Sequence, residues 1–419
     1  MAVKNASVLA AIILVAGACG ESLDGGQTCP ALCPVQSLAV QDIVLNAIAF
    51  DTTLGTYPVR GTEPGLLLAE RGDTLDVRAV VRWDSLPQTY LRLGVTNEIT
   101  SVDSSRLFVR IDTAAANFTG TVTLEAYDVD TTAVDTNSAA LIALFRADRK
   151  ISSINIARSA LFLQDTVSLP LDNAYLLGKI RNGQRLRVGF RMVGAGDMTI
   201  QSVETALPVA LQFDPAPGDT VVPSGSLTPL SLNPRDDLVS ATDLQDFSLV
   251  VKAPPAPAER VSAGGLPAYR GYLRFAIPAF YLDSVSIVRA QLELVQRPIH
   301  GLAEADLATV YPVVVSAEST VTDLNRAAQL VYAPLSFSIQ PLIYAPRDSG
   351  DRRVDIVQLV RQWAAQATVT NPIQTAIVLR GANEGRAPGR LAFFGLDAPD
   401  ALRPKLRISF IARTRFGTP

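Results

Sequence analysis

Short runs of alternating apolar and polar residues, cut at intervals by Gly, Pro, Asp and Asn clusters, constrain this chain more than any other feature. They fall at 74–83, 106–111, 121–127, 185–192, 272–277, 291–295, 375–380 and 406–411. Val, Ile, Leu, Thr and aromatic residues dominate them, the types that suit a pleated, half-buried surface. A period of two, this spacing and few helical signals predict an all-β chain built from sandwiches or barrels. At 419 residues and 48% hydrophobic, it can bury a sizeable core and fill two or three domains.

The runs repeat in order. In the first half, Arg78 and Arg82 flank three residues, and Trp83 and Pro87 follow; in the second, Arg270, Arg274, Phe275 and Pro278 do the same. Strands at 102–109 and 122–129 then match strands at 288–294 and 308–313. Next comes strand, short helix, strand: 167–171, 173–180 and 185–192 against 354–357, 358–366 and 375–380. Each half closes with a strand pair, at 198–204 and 207–213 and at 391–397 and 403–410. Five matches in one order predict a duplication. The expected layout is two tandem jelly-roll-like β-sandwich domains, 37–214 and 227–413, each with a short helical segment. A Pro/Gly-rich linker at 215–226 joins them, and 414–419 form a tail.

The second copy resembles the DNRLRE-type β-sandwich domains, which overlap the family-96 carbohydrate-binding modules. The residues carrying the likeness are Arg270-Gly271-Tyr272-Leu273-Arg274-Phe275, Ala290-Gln291-Leu292-Glu293-Leu294, Val354-Asp355-Ile356 through Val360 to Trp363, and Arg403-Pro404-Lys405-Leu406. They span about residues 227–412; the first copy is more divergent, with Trp83 in place of Phe275. The resemblance implies exported bacterial proteins, often in tandem, some of which bind polysaccharide. It implies binding or display and no catalysis.

The first 19 residues read as an export signal. Lys4 precedes a short apolar run from Ala6 to Val15, and Ala16-Gly17-Ala18 leads into Cys19. This resembles the lipobox of bacterial lipoproteins, which implies that residues 1–18 are removed, that Cys19 is acylated and that 19–36 form a tether. The alternative is an ordinary secretory signal cut near Ala18. The expected location is the cell envelope, lipid-anchored at the outer membrane or cell surface. Two or three acyl chains hold firmly where one does not. Cys29 and Cys33, the other two cysteines, are expected to form a local disulfide outside the cytoplasm.

Alternation puts Leu273 and Phe275 on one face of their strand and Arg270, Tyr272 and Arg274 on the other. An aromatic ring between two guanidinium groups is a chemistry for gripping an acidic sugar. The competing reading is that these arginines pair with acids along the sheet. Trp363 shares a helical face with Val357 and Val360, which predicts a core position, and Trp83 is expected to be buried. Asp128, Asp130 and Asp135 offer oxygens for a structural calcium, or form a solvated acidic loop. No other cofactor is expected. A net charge of −3 and a pI near 5.4 argue against nucleic acid. With His300 the single histidine and no nucleophile elbow or phosphate-binding glycine loop, no enzyme is expected. The expected role is therefore polysaccharide binding by a non-catalytic envelope lipoprotein. A structural spacer or protein-binding assembly component is the alternative, and membrane contact in either case is through the lipid.

Overall fold

The computed structural model describes residues 39–233, 242–255, 261–316, 331–332, 337–366 and 375–413. Cys19, Cys29 and Cys33 lie outside them. Two strands come first, β1 (Gln41–Leu45) and β2 (Ile48–Tyr57). The first repeat continues as β3 (Leu66–Arg71), β4 (Leu75–Trp83), β5 (Thr89–Arg92), β6 (Val95–Glu98), β7 (Asp103–Phe118), β8 (Thr121–Asp128), β9 (Lys150–Ala157), β10 (Thr166–Pro170), β11 (Leu186–Val193), β12 (Gly196–Ile200) and β13 (Ala210–Asp214). Then come β14 (Gly225–Leu227) and β15 (Asp246–Lys252). The second repeat is β16 (Val261–Gly264), β17 (Ala268–Phe275), β18 (Val285–Arg297), β19 (Ala308–Ser316), β20 (Val331–Tyr332), β21 (Leu342–Tyr344), β22 (Gly350–Asp355), β23 (Ala376–Gly381), β24 (Arg390–Phe393) and β25 (Lys405–Ala412). Among the described residues, four short helices interrupt the strands: α1 (Ser138–Ile142), α2 (Asn173–Arg181), α3 (Ala279–Asp283) and α4 (Val357–Gln366).

The fold is all-β, made of two antiparallel assemblies that each enclose an apolar core. One is ordered β13, β7, β12, β3, β4, β11, β8, β9; the other is ordered β25, β18, β24, β16, β17, β23, β19, β20. Position by position these orders are the same, with β10 on β7 answered by β22 on β18. Two helices also correspond: α2 and α4 each stand between a strand that pairs with the long strand (β10, β22) and one that pairs with the Arg-rich strand (β11, β23).

The strands that precede each repeat do not join it. β1 pairs with β25 and β2 with β17, both in the second lobe. β14 pairs with β13 and β15 with β4, both in the first. Each repeat therefore lends its leading strands to the other, in equivalent register: Leu54 opposes Arg270 as Leu249 opposes Arg78. An equivalent hydrogen bond seats both loans. Asp51 lies opposite Leu273 and accepts the Leu396 N–H at 2.7 Å, three residues past β24. Asp246 lies opposite Val81 and accepts the Val203 N–H at 2.9 Å, three residues past β12. The boundaries expected at 37–214 and 227–413 thus do not divide the sheets. Residues 41–57 belong to the second lobe and 246–252 to the first. An antiparallel pairing is made by backbone groups between segments distant in sequence, so side-chain alternation carries no information about which lobe receives a strand.

The core of the first lobe takes Ala79, Val81 and Trp83 from β4, with Leu107, Val109, Val188, Phe190 and Phe213. In the second lobe, Leu273 and Phe275 meet Leu292, Leu294, Leu406 and Ile408. α4 lays Leu359, Val360 and Trp363 against them, and the Trp363 and Phe275 rings lie 5.2 Å apart. Trp83 is fully buried and donates its indole N–H to the Leu227 carbonyl at 3.2 Å. A buried indole needs such an acceptor.

Candidate functional site

Alternation assigned the two faces of β17 correctly, but both faces are buried. Tyr272 is 0% exposed. On the side away from the core it packs with Leu54 of the borrowed β2, Val315 of β19, and Ala376 and Val378 of β23. Phe50 meets it edge-on at 6.2 Å. A ring so enclosed cannot stack on a sugar. Arg270 is turned to Glu384, with Nε at 2.8 Å and Nη2 at 2.6 Å from its two oxygens. Arg274 is half-buried beside Phe275. Tyr272 and Arg270 are therefore part of the sheet's packing, closed over by a strand whose arrival the local pattern did not signal, while Arg274 keeps part of its surface.

The equivalent arginines of β4 are also paired. Arg78 binds Asp76 through Nε and Nη2 at 3.1 and 2.8 Å. Arg82 bonds to Asp84, Asp135 and Asp243, the last two at 2.7 and 3.0 Å. Asp135 lies 3.1 Å from Arg187, and neither side chain is exposed. Asp135 also accepts the Leu244 N–H at 2.9 Å, so this network ties the lead-in to β15 down onto the first lobe. The acids considered for calcium are divided among cations. Asp128 and Asp130 face Lys179 at 3.1 and 3.7 Å, and Asp130 also takes Arg185 at 2.6 Å. Asp135 is held apart by Arg82 and Arg187. Their environment is that of ion pairs, and among the described residues no three His, Cys, Asp or Glu side chains are grouped to hold a metal.

Acid chemistry concentrates instead where the lobes exchange strands. Glu63, on the connection between β2 and β3, is 6% exposed. Its two oxygens accept the Gly61 N–H at 2.5 Å and the Ser248 N–H of β15 at 3.2 Å. Burial pushes its carboxyl up to about 7, despite those bonds and nearby Arg60. Asp246 is 1% exposed and its second oxygen, Oδ1, has no partner. Burial, reinforced by Glu204 and Glu63, pushes it up to about 8. Glu204 is also raised, chiefly by burial. Beside Glu63 lies a cavity of about 350 Å³, lined by Arg60, Ser138, Ser248 and Val250 of the first lobe's side and by Leu266, Pro267 and Gly385 of the second. Gly385 is needed there. Its φ is +74°, and a Cβ would sit 2.6 Å from Pro58 Cδ. Nothing in local periodicity marked Arg60, Glu63 or Asp246; the only cue was an acid in an apolar stretch, as in Asp246-Phe247-Ser248-Leu249.

The lobes are further joined by Arg71 of β3, which pairs with Asp197 in its own lobe and with Asp306 of the second at 2.5 Å. Leu266 inserts among Leu67, Ala69, Leu75 and Val77 of β3 and β4.

No family model matches the chain, and no curated protein matches it. Among solved structures, a candidate secreted protein from Parabacteroides distasonis ATCC 8503 aligns over 88% of this chain and 99% of its own, at 11% identity and a TM-score of 0.25. A likeness at that level carries no argument about function.

Proposed function

We propose that the chain is a non-catalytic envelope protein, held to the membrane by a lipid on Cys19, that serves as a two-lobed spacer or protein-binding scaffold. The observation that supports this reading is the reciprocal loan of strands. It joins two lobes into one body through backbone ladders, Arg71 and the Leu266 cluster, a construction suited to transmitting position and load. Polysaccharide binding, which the family resemblance implies, is the competing reading. It needs a surface other than Arg270, Tyr272 and Arg274, and both tryptophans are buried.

The test uses the whole chain with Cys19→Ser. The variant is expected to leave the detergent phase and to bind no glycan saturably on a polysaccharide array. Retention at the membrane would overturn the anchor, and saturable glycan binding would restore the sugar-binding role.

A further inference from the structure

The lobes meet where β4 and β17 begin, with Leu266 set among Leu67, Ala69, Leu75 and Val77. The helix α3 follows the end of β17 and therefore stands at the end of the second lobe away from that junction. The chain from Cys19 enters the lobe at this same end. Gln41, the first residue of β1, lies opposite Phe410, and the Phe410 ring meets Tyr281 and Phe280 of α3 edge-on at 5.4 and 6.3 Å. Phe280 stays 52% exposed, and Val40 and Val288 beside it are exposed too. Next to α3 and α4 lies a hollow of about 330 Å³ whose lining includes Leu282, Val285, Ile287, Ala364, Arg361 and Arg413. Both arginines are exposed and both are steadied by carbonyls. Arg361 donates Nε and Nη2 to the Ile287 carbonyl at 3.0 and 2.7 Å, and Arg413 donates Nη1 to the Asp283 carbonyl at 3.2 Å. Among the described residues neither forms an ion pair, which sets them apart from Arg71, Arg78, Arg82, Arg187 and Arg270. Asp283 is the acid of the lining, and its Oδ1 takes the Ser284 hydroxyl at 2.6 Å.

Exposed guanidinium groups beside an exposed aromatic and aliphatic side chains complement an anionic lipid interface: phosphates take the charge, and the ring enters the acyl boundary. Segment 19–38 joins the lipid of Cys19 to this end and spans at most about 70 Å even when fully extended. The other exposed apolar tip, Leu91, Leu93 and Val95 of the β5–β6 hairpin, follows the end of β4 in the first lobe, and its one arginine, Arg92, is taken by Asp219. We propose that the α3 end of the second lobe rests on an anionic phospholipid bilayer, with Arg361 and Arg413 on lipid phosphates and Phe280 in the acyl boundary. The proposal deepens the anchored reading: the acyl chains hold the protein, and this contact sets which end of it faces the bilayer.

Sedimentation of the whole Cys19→Ser chain with phosphatidylglycerol-containing vesicles, and with vesicles of phosphatidylcholine alone, tests the assignment without the lipid anchor. Binding is expected at low salt, about tenfold tighter to the anionic vesicles, and is lost at high salt because the charges are screened. Arg413→Glu, whose wild-type side chain makes one surface bond to a carbonyl, should weaken it about tenfold, as should Arg361→Gln with Arg413→Gln. The single variant keeps the test independent of the folding of Arg361 variants. Phe280→Trp adds an exposed indole to two buried ones, and its emission should shift to the blue on the anionic vesicles. Leu93→Asn, at the free end of the first lobe, should bind as the parent does. Equal binding to both vesicle types overturns the proposal. So does Phe280→Trp emission that stays aqueous on bound protein, or binding that survives Arg413→Glu and is lost in Leu93→Asn. None of these outcomes touches the anchor, whose own test is partition of Cys19→Ser into detergent, where no anionic surface is present.

Discussion

At the residue scale, Trp363 and Tyr272 show how far periodicity reaches. The three-and-four spacing of Val357, Val360 and Trp363 described a helical face, and that face is in the core because α4 has one sheet to lie on. Alternation separated Tyr272 from Leu273 just as correctly. It could not say whether the second face meets water or another layer, since that depends on which strand arrives beside β17. Truncating Trp363 or Phe275 to Ala should cost about 3–5 kcal/mol through lost burial and the cavity left behind. Tyr272→Ala should cost a comparable amount, because the ring is as completely enclosed. Urea melts of the three variants provide the check. A Tyr272→Ala chain with the wild-type midpoint would mean that its outer face is open.

At the scale of the element, β15 is held by carboxyls that prefer to be protonated. Glu63 and Asp246 have folded-state values near 7 and 8, above their ordinary 4.5 and 3.8, and Glu204 is raised as well. The folded chain therefore binds protons that the unfolded chain has released. This contribution to stability is complete below about pH 4 and is lost as pH rises through 7 and 8. The charged groups facing the cluster are Arg60 and, through Arg60, Asp135; neither removes the effect of burial. A tenfold difference in proton affinity between the folded and unfolded chain is worth about 1.4 kcal/mol, so the loss between pH 6 and 9 should reach at least on the order of 1 kcal/mol. The melting temperature is expected to fall over that interval. Asp246→Asn, which keeps the acceptor for the Val203 N–H, should flatten the slope. An unchanged slope in that variant would remove Asp246 from the account. None of this was legible beforehand. An acid within a β pattern reads as a solvent-facing residue, and only the pairing of β15 with β4 buries it.

At the scale of the whole molecule, most of the plan could be read and its closure could not. The repeated order of Arg-rich strand, long strand, helix and closing pair is present in the sequence, and both lobes follow it strand for strand. The loan of β1 and β2 to one lobe and of β14 and β15 to the other is what fusing two copies of a strand-swapped dimer would produce. It also decides how the chain can be dissected. Residues 36–214 contain β1 and β2, which pair elsewhere, and lack β15, leaving one edge of β4 bare. Residues 227–413 contain β15 and lack the strand that covers β17. Exposed sheet edges of this kind associate. Each fragment alone should aggregate or remain poorly ordered, whereas the two mixed should restore a soluble 1:1 complex, because β1, β2 and β15 are then supplied and only the short β14 is cut. A cut at the lobes' own boundaries should behave differently. Residues 66–252 carry β3 through β15, the complete set for the first lobe, and should fold without the rest. Size-exclusion chromatography and circular dichroism of the three pieces, alone and mixed, distinguish the outcomes. Independent, monomeric folding of both 36–214 and 227–413, with no association on mixing, would show that the borrowed strands are dispensable.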